Sequence, residues 1–210
     1  MHKISVVLFL ILAGGKVFSQ HPGFTLLTDS TEFRKQYIKA ASEIKTIKCD
    51  FIQEKNLEML SEKIISSGMF RFKENMVRME YLKPFQYLLI INKNKVIVRD
   101  TEKTNTISVN SNKLFQQISR IIMDCVNGSV FSNPDFNVKI FEGKIQWMIE
   151  MKPSSKGLKE FFNAINILID KNDYSVDSIN MIEVSGDNTM VHFKNRVINE
   201  TIPDETFTVH

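Results

Sequence analysis

The sequence predicts a mainly β chain (α+β): a curved antiparallel sheet or incomplete barrel carrying two helices. Three observations predict it. Most of the chain divides into short apolar runs separated by turn residues. The stretch from Cys49 to Asp100 is the clearest case, punctuated by Gly68, Lys73-Glu74-Asn75, Lys83-Pro84 and Asn92-Lys93-Asn94. Two segments switch to a helical period. Two predicted strands, Leu88 to Ile91 and Ile165 to Ile169, are apolar on both faces, whereas an antiparallel sheet wet on one side should alternate. A β-sandwich with accessory helices is the rival architecture.

The first predicted helix runs from about Ser30 to Lys45, with Phe33, Tyr37, Ala40, Ala41 and Ile44 on one stripe and Asp29 or Ser30 as its cap. Strands follow at Cys49–Leu60, Ile64–Phe72, Met76–Tyr81, Phe85–Ile91, Lys95–Arg99 and Asn105–Val109. From Asn112 to Val126 the period changes, and Leu114, Phe115, Ile118, Ile121, Ile122 and Cys125 fall on one helical face. Strands resume at Phe136–Phe141, Ile145–Met151, Phe162–Ile169, Ser178–Val184, Met190–Lys194 and Phe207–Val209.

Something must cover the second face of the doubly apolar strands, and the two helices are the available covers. They cover either a filled core or a lipid-sized cavity around which the sheet curls, with the helices as its lid. The 16 Phe and 10 Met suit an adaptable apolar wall, although Met also fills ordinary cores. Val77, Met79 and Tyr81 share a face by period-two alternation and are the candidate cavity residues, joined by Leu89 and Ile91 of the next strand. The candidate lid residues are Leu114, Phe115, Ile118, Ile121 and Ile122.

The N-terminus predicts the compartment. His2-Lys3 gives a basic start, Val6 to Ala13 is unbroken apolar, and Val17-Phe18-Ser19 offers a cleavage site before Gln20. The run is well short of the about 20 residues a spanning helix needs. Residues 1–19 are therefore expected to be a cleaved signal peptide and residues 20–210 a single domain. No Cys follows the apolar run, so the chain is expected to lie free in the periplasm rather than to be a lipoprotein itself.

Residues 1–19 hold two of the chain's 27 basic residues, which leaves 25 basic against 24 acidic. A near-neutral surface lacks the positive field that non-specific nucleic-acid binding requires. Enzyme chemistry is not expected. His21, His192 and His210 stand apart, and no Gly-rich phosphate loop, nucleophile elbow or His/Cys metal cluster occurs. Asp50, Glu80, Glu150 and Glu183 read as outward strand positions. Cys49 and Cys125 are the two cysteines, and in an oxidising compartment they are either a disulfide pinning the second helix to the sheet or two buried small hydrophobes.

Four pieces of the chain, in order, carry a family resemblance: Asp50-Phe51-Ile52-Gln53, Gly68 to Phe72, Arg78 to Tyr81, and Pro84 to Ile91. They resemble the Asp/Ser-Phe-x-Gln element, the Gly-led strand, the Arg-Trp-x-Tyr-like strand and the Pro-led strand of the periplasmic outer-membrane lipoprotein carriers, the LolA family. More loosely, Ile165 to Ile169, Ile179 to Val184, Met190 to Arg196 and Asn199 to Phe207 resemble its later strands and closing turn.

The resemblance implies an incomplete, half-open barrel with a helical lid over an apolar cavity, and no cofactor or metal. It implies a monomer that binds the acyl chains of lipoproteins, takes them from an inner-membrane ATP-driven exporter and moves them towards the outer membrane, with the acceptor there left open. Two other readings of the same fold stay open: a carrier of another lipid or a lipid-linked pigment or polyketide, and a non-transporting lipoprotein sensor or adaptor. Many relatives have Arg-Pro where this chain has Lys73-Glu74, and their Arg latches the lid, which makes Lys73 the candidate latch. Met79 stands where the family has Trp, a softer apolar wall.

Overall fold

The structure is a computed structural model and describes residues 21–59, 62–92, 95–100, 104–108 and 113–208, with residues 104–108 and 113–119 described by backbone alone. The apolar N-terminal run and its expected cleavage site lie outside the described residues. Among these residues no helix is long and apolar enough to cross a membrane.

The chain opens with a short strand β1 (Thr25–Leu26) and helix α1 (Thr31–Ser42). Asp29, outside the helix, accepts the Thr31 N–H at 3.0 Å, satisfying one donor of the first turn. Phe33, Tyr37 and Ala41, spaced four apart, form its buried stripe. A meander follows: β2 (Thr46–Asn56), β3 (Lys63–Lys73), β4 (Met76–Lys83), β5 (Tyr87–Asn92), β6 (Lys95–Arg99) and β7 (Thr104–Ser108). Helix α2 (Lys113–Asn127) and a 3-10 turn at Ser129–Ser132 lead into a second meander. It comprises β8 (Phe136–Glu142), β9 (Gln146–Pro153), β10 (Phe162–Asp170), β11 (Val176–Glu183) and β12 (Asn188–Ile198), with the short helix α3 (Lys156–Lys159) before β10.

Among the described residues the strands form one antiparallel sheet in the order β1-β8-β9-β10-β11-β12-β2-β3-β4-β5-β6-β7. The two meanders meet where β12 pairs with β2, Phe193 opposite Phe51. The edge strands β1 and β7 do not pair with each other, so the barrel is incomplete. One continuous sheet replaces the two stacked sheets that a sandwich would require.

Alternation sorts the strands into an inner and an outer face. Both helices lie on the inner face. Phe33 and Tyr37 of α1 and Ile121 and Cys125 of α2 share a core with Ile149, Ile165 and Ile167 of the second meander. Ile122 and Val126 pack on Phe72, Val77, Leu89 and Ile91 of the first. The Tyr37 hydroxyl ties the helices together, donating to the Cys125 carbonyl at 2.7 Å.

The helices do not cover both faces of β5. Leu89 and Ile91 face inward, whereas Leu88 and Ile90 face outward beneath the C-terminal segment, where Ile202 and Phe207 are buried against them. Lys73 Nζ donates to the Ile202 carbonyl at 2.9 Å, Arg78 Nη1 to the Thr206 carbonyl at 3.1 Å and Asn92 Nδ2 to the Phe207 carbonyl at 3.2 Å. Of the strand expected at Phe207–Val209, Val209 lies outside the described residues and Phe207 instead ends a 3-10 turn, Asp204–Phe207, within a segment that works as a strap.

Glu150 also departs from expectation. Ile149 and Met151 face inward, so its side chain does point outward, yet the residue is 2% exposed. One oxygen takes a 2.8 Å contact from His21 Nε2, with Lys152 Nζ at 3.5 Å.

Candidate functional site

Between the inner face and the two helices lies a cavity of about 310 Å³. Its sheet wall includes Phe70, Met79, Leu89, Val191 and Phe193, and its helical wall Tyr37, Ala41, Ile121, Ile122 and Val126. Each strand contributes alternate residues, and adjacent strands bring them side by side: Phe70 lies opposite Met79, and Met79 opposite Leu89. The wall is predominantly aliphatic and aromatic. It therefore offers shape and apolar contact with few directed bonds.

The polar groups sit towards two ends. At one end Tyr81 donates its hydroxyl to Gln53 Oε1 at 2.9 Å, and its ring lies edge-on to Phe51 and Tyr87. Burial, aided by the neighbouring Tyr87, pushes the Tyr81 phenol up to about 12, so it stays a neutral donor. At the other end are Tyr174 and Ser175 of the turn between β10 and β11, together with Arg196. Arg196 is the one charged residue among the described lining residues. Its Nη1 donates to the Val176 carbonyl at 2.9 Å, and its Nη2 contacts Asp173 Oδ2 at 3.3 Å and the Ser175 hydroxyl.

Of the sequence-predicted wall residues, Met79, Tyr81 and Leu89 line the cavity. Val77 and Ile91 face the same way but lie in the packed part of that face, at 0% and 3% exposure, and do not line it. They pair with each other next to the β3–β4 and β5–β6 turns, where apolar neighbours fill the space. Ile121 and Ile122 line the cavity from α2, while the side chains of Leu114, Phe115 and Ile118 lie outside the described residues. Among the described residues Lys73 contacts no helix. Phe72 faces inward, so period-two alternation sends Lys73 outward, where Asp204 and the Ile202 carbonyl hold it. These described contacts fasten the strap.

Cys49 and Cys125 are both free thiols, and both line the cavity. Burial pushes each up to about 12, against the pull of the Arg196 charge at Cys49 and with the push of Asp124 at Cys125. Both are protonated, small apolar wall residues at neutral pH.

The stripe of Tyr37 and Ala41 was legible as a cover, either of a packed core or of a cavity, but neither residue was among the predicted cavity residues, and Arg196 was missed altogether. Strict alternation from the inward Phe193 would turn Asn195 inward and Arg196 outward. Instead the register shifts between Lys194 and Val197, with Asn195 at a φ of 53°. Asn195 then donates outward to Asp50 at 2.7 Å, and Arg196 turns to the cavity. Asn is among the residues that tolerate this backbone region, a weak signal that the sequence did carry.

A family model described as outer membrane lipoprotein carrier protein LolA matches residues 42–210. The chain belongs to that family. No curated protein matches its sequence. Among solved structures it is similar to an uncharacterized conserved protein from Thermus thermophilus, at 12% identity and a TM-score of 0.53 over 87% of this chain and 94% of that one. A LolA superfamily protein from Nitrosomonas europaea matches at 9% identity and a TM-score of 0.47, over 84% of this chain and 97% of that one. A putative outer membrane lipoprotein-sorting protein domain from Vibrio parahaemolyticus matches at 10% identity and a TM-score of 0.48, over 83% and 94%. At such identities the likeness concerns the fold alone.

Proposed function

We propose that this protein is a periplasmic carrier that holds the acyl chains of lipoproteins in its cavity and moves them from the inner to the outer membrane. The observation that carries the reading is the apolar cavity enclosed between sheet and helices, in a chain that belongs to the lipoprotein carrier family. Cargo would arrive from an inner-membrane ATP-driven exporter.

The energetics suit that task. A buried methylene is stabilised by about 0.8 kcal/mol relative to water. At about 310 Å³ the cavity is at the small end of single-ligand pockets. A lipoprotein with several chains needs more room, and α2 is the element to supply it. It packs on the sheet through side chains and is bonded to α1 through Tyr37, so swinging it outward breaks no strand pairing. Leu114, Phe115, Ile118, Ile121 and Ile122 are accordingly the lid residues of this proposal.

Site-specific photo-crosslinking tests the reading. A crosslinker at Met79, in the wall, should capture acylated lipoproteins in the periplasm of a producing bacterium. One at Lys48, whose side chain points to the outer face and is 38% exposed, should not. Equal capture from both positions, or no lipoprotein from Met79, overturns the proposal.

A further inference from the structure

The charge at the end of the cavity is out of keeping with the rest of its wall. A guanidinium beside apolar surface is costly unless its donors are met, and a simpler way to close the turn between β10 and β11 would leave the charge in water. Here a bulge in β12 turns Arg196 inward, while the residue before it turns out to meet Asp50. Bulges re-aim side chains in this way next to functional sites. The described contacts of Arg196, to Val176, Ser175 and Asp173, use three of its five N–H donors. The Asp173 side chain is 59% exposed and sits on the solvent side of the pair, whereas the Arg196 side chain is 26% exposed. A second anion can therefore approach from the cavity without displacing the carbonyl that holds the guanidinium in place.

We propose that Arg196 forms an anion subsite at the end of the acyl cavity, so that the cavity also takes free amphiphiles whose chain bears a carboxylate or phosphate head, a group that the ester- and amide-linked chains of a lipoprotein lack. The inference rests on the cavity being an acyl site. The chain lies along Met79, Leu89 and Ile122, and the head meets Arg196 where Ser175 and Tyr174 add polar groups. The field of the guanidinium at the cavity wall is already visible at Cys49, whose thiol it pulls downward against the larger effect of burial. A planar fork suits carboxylate and phosphate, which an ammonium at the same place would meet as a point charge.

Three ligands of equal chain length test it by calorimetry at low salt: laurate, dodecyl phosphate and methyl laurate. The intact protein should bind laurate, dodecyl phosphate or both at least about tenfold more tightly than methyl laurate, the size of one charge-assisted hydrogen bond. Which of the two gains tells carboxylate from phosphate. Arg196→Met should erase the preference, so that the three ligands bind alike whatever their common affinity becomes, and Arg196→Lys should keep part of it. Equal binding of all three by the intact protein overturns the subsite and leaves the acyl cavity standing. So does an equal loss of all three in Arg196→Met and Arg196→Lys, which makes Arg196 a brace for the turn. Binding of none of the three overturns the cavity reading and the subsite with it.

Discussion

Gly68 sits inside β3, where a Cβ would lie 2.0 Å from the Glu80 carbonyl oxygen and 2.9 Å from Phe51 Cζ. The register between β3 and β4 shifts at this point, and the two backbones close in where the side chain is missing. The contact is with backbone, so no rotamer change relieves it. Gly68→Ala should cost at least about 1–3 kcal/mol in urea unfolding. Gly157→Ala, with nothing within 4 Å of the added methyl, should change stability by less than about 1 kcal/mol. Comparable losses from the two variants would show that the close approach is not what selects glycine. In the sequence Gly68 looked like punctuation between runs, because a glycine chosen for close approach and one chosen for a turn carry the same letter. Arg196 was illegible for a related reason: alternation is a rule about unbroken ladders, and one extra residue reverses it. Met79, Tyr81 and Leu89 were legible because no bulge falls among them.

The C-terminal strap shows the same limit for whole elements. The doubly apolar run from Leu88 to Ile91 did indicate that something covers its second face, but with both faces apolar, alternation alone did not decide which of them meets the helices. That the outer cover is an extended segment instead of a helix was not legible, since Ile202 and Phe207 are too few to make a periodic pattern. Their side chains lie across the sheet from the cavity, which gives the strap a separable role. Phe207→Ala, at a site with 0% exposure, should cost about 3–5 kcal/mol of stability. It should leave the acyl-probe affinity of the folded fraction unchanged. Ile122→Ala should do the opposite, because Ile122 is a cavity residue on α2: a modest drop in melting temperature and a clear loss of probe retention. Differential scanning calorimetry alongside probe binding reads both quantities. If Phe207→Ala weakens probe binding as much as Ile122→Ala does, strap and cavity are coupled through the sheet.

At the scale of the molecule, each meander is local, its strands pairing with their neighbours in sequence, while the β2–β12 pairing joins residues from opposite ends of the chain. Local hairpins close quickly and distant pairings slowly, so the seam is the expected late step of folding. Helices α1 and α2, which belong to the first part of the chain, share a core with β8 to β10 and hold the halves together a second time. The chain between Asn127 and Ser129 carries no strand of either meander, only Gly128 in the left-handed conformation against Ile38 and Ala41. A molecule joined by an edge-to-edge seam, the β1–β8 pairing, a shared core and the C-terminal strap on β5, with one covalent crossing, is in effect a heterodimer that happens to be tethered. Severed after Asn127 and co-expressed as two polypeptides, it should reassemble into a 1:1 complex that co-purifies and still retains an acyl probe. Two fragments that never associate would mean instead that the tether, by raising the effective concentration of one half for the other, is what makes the seam form at all.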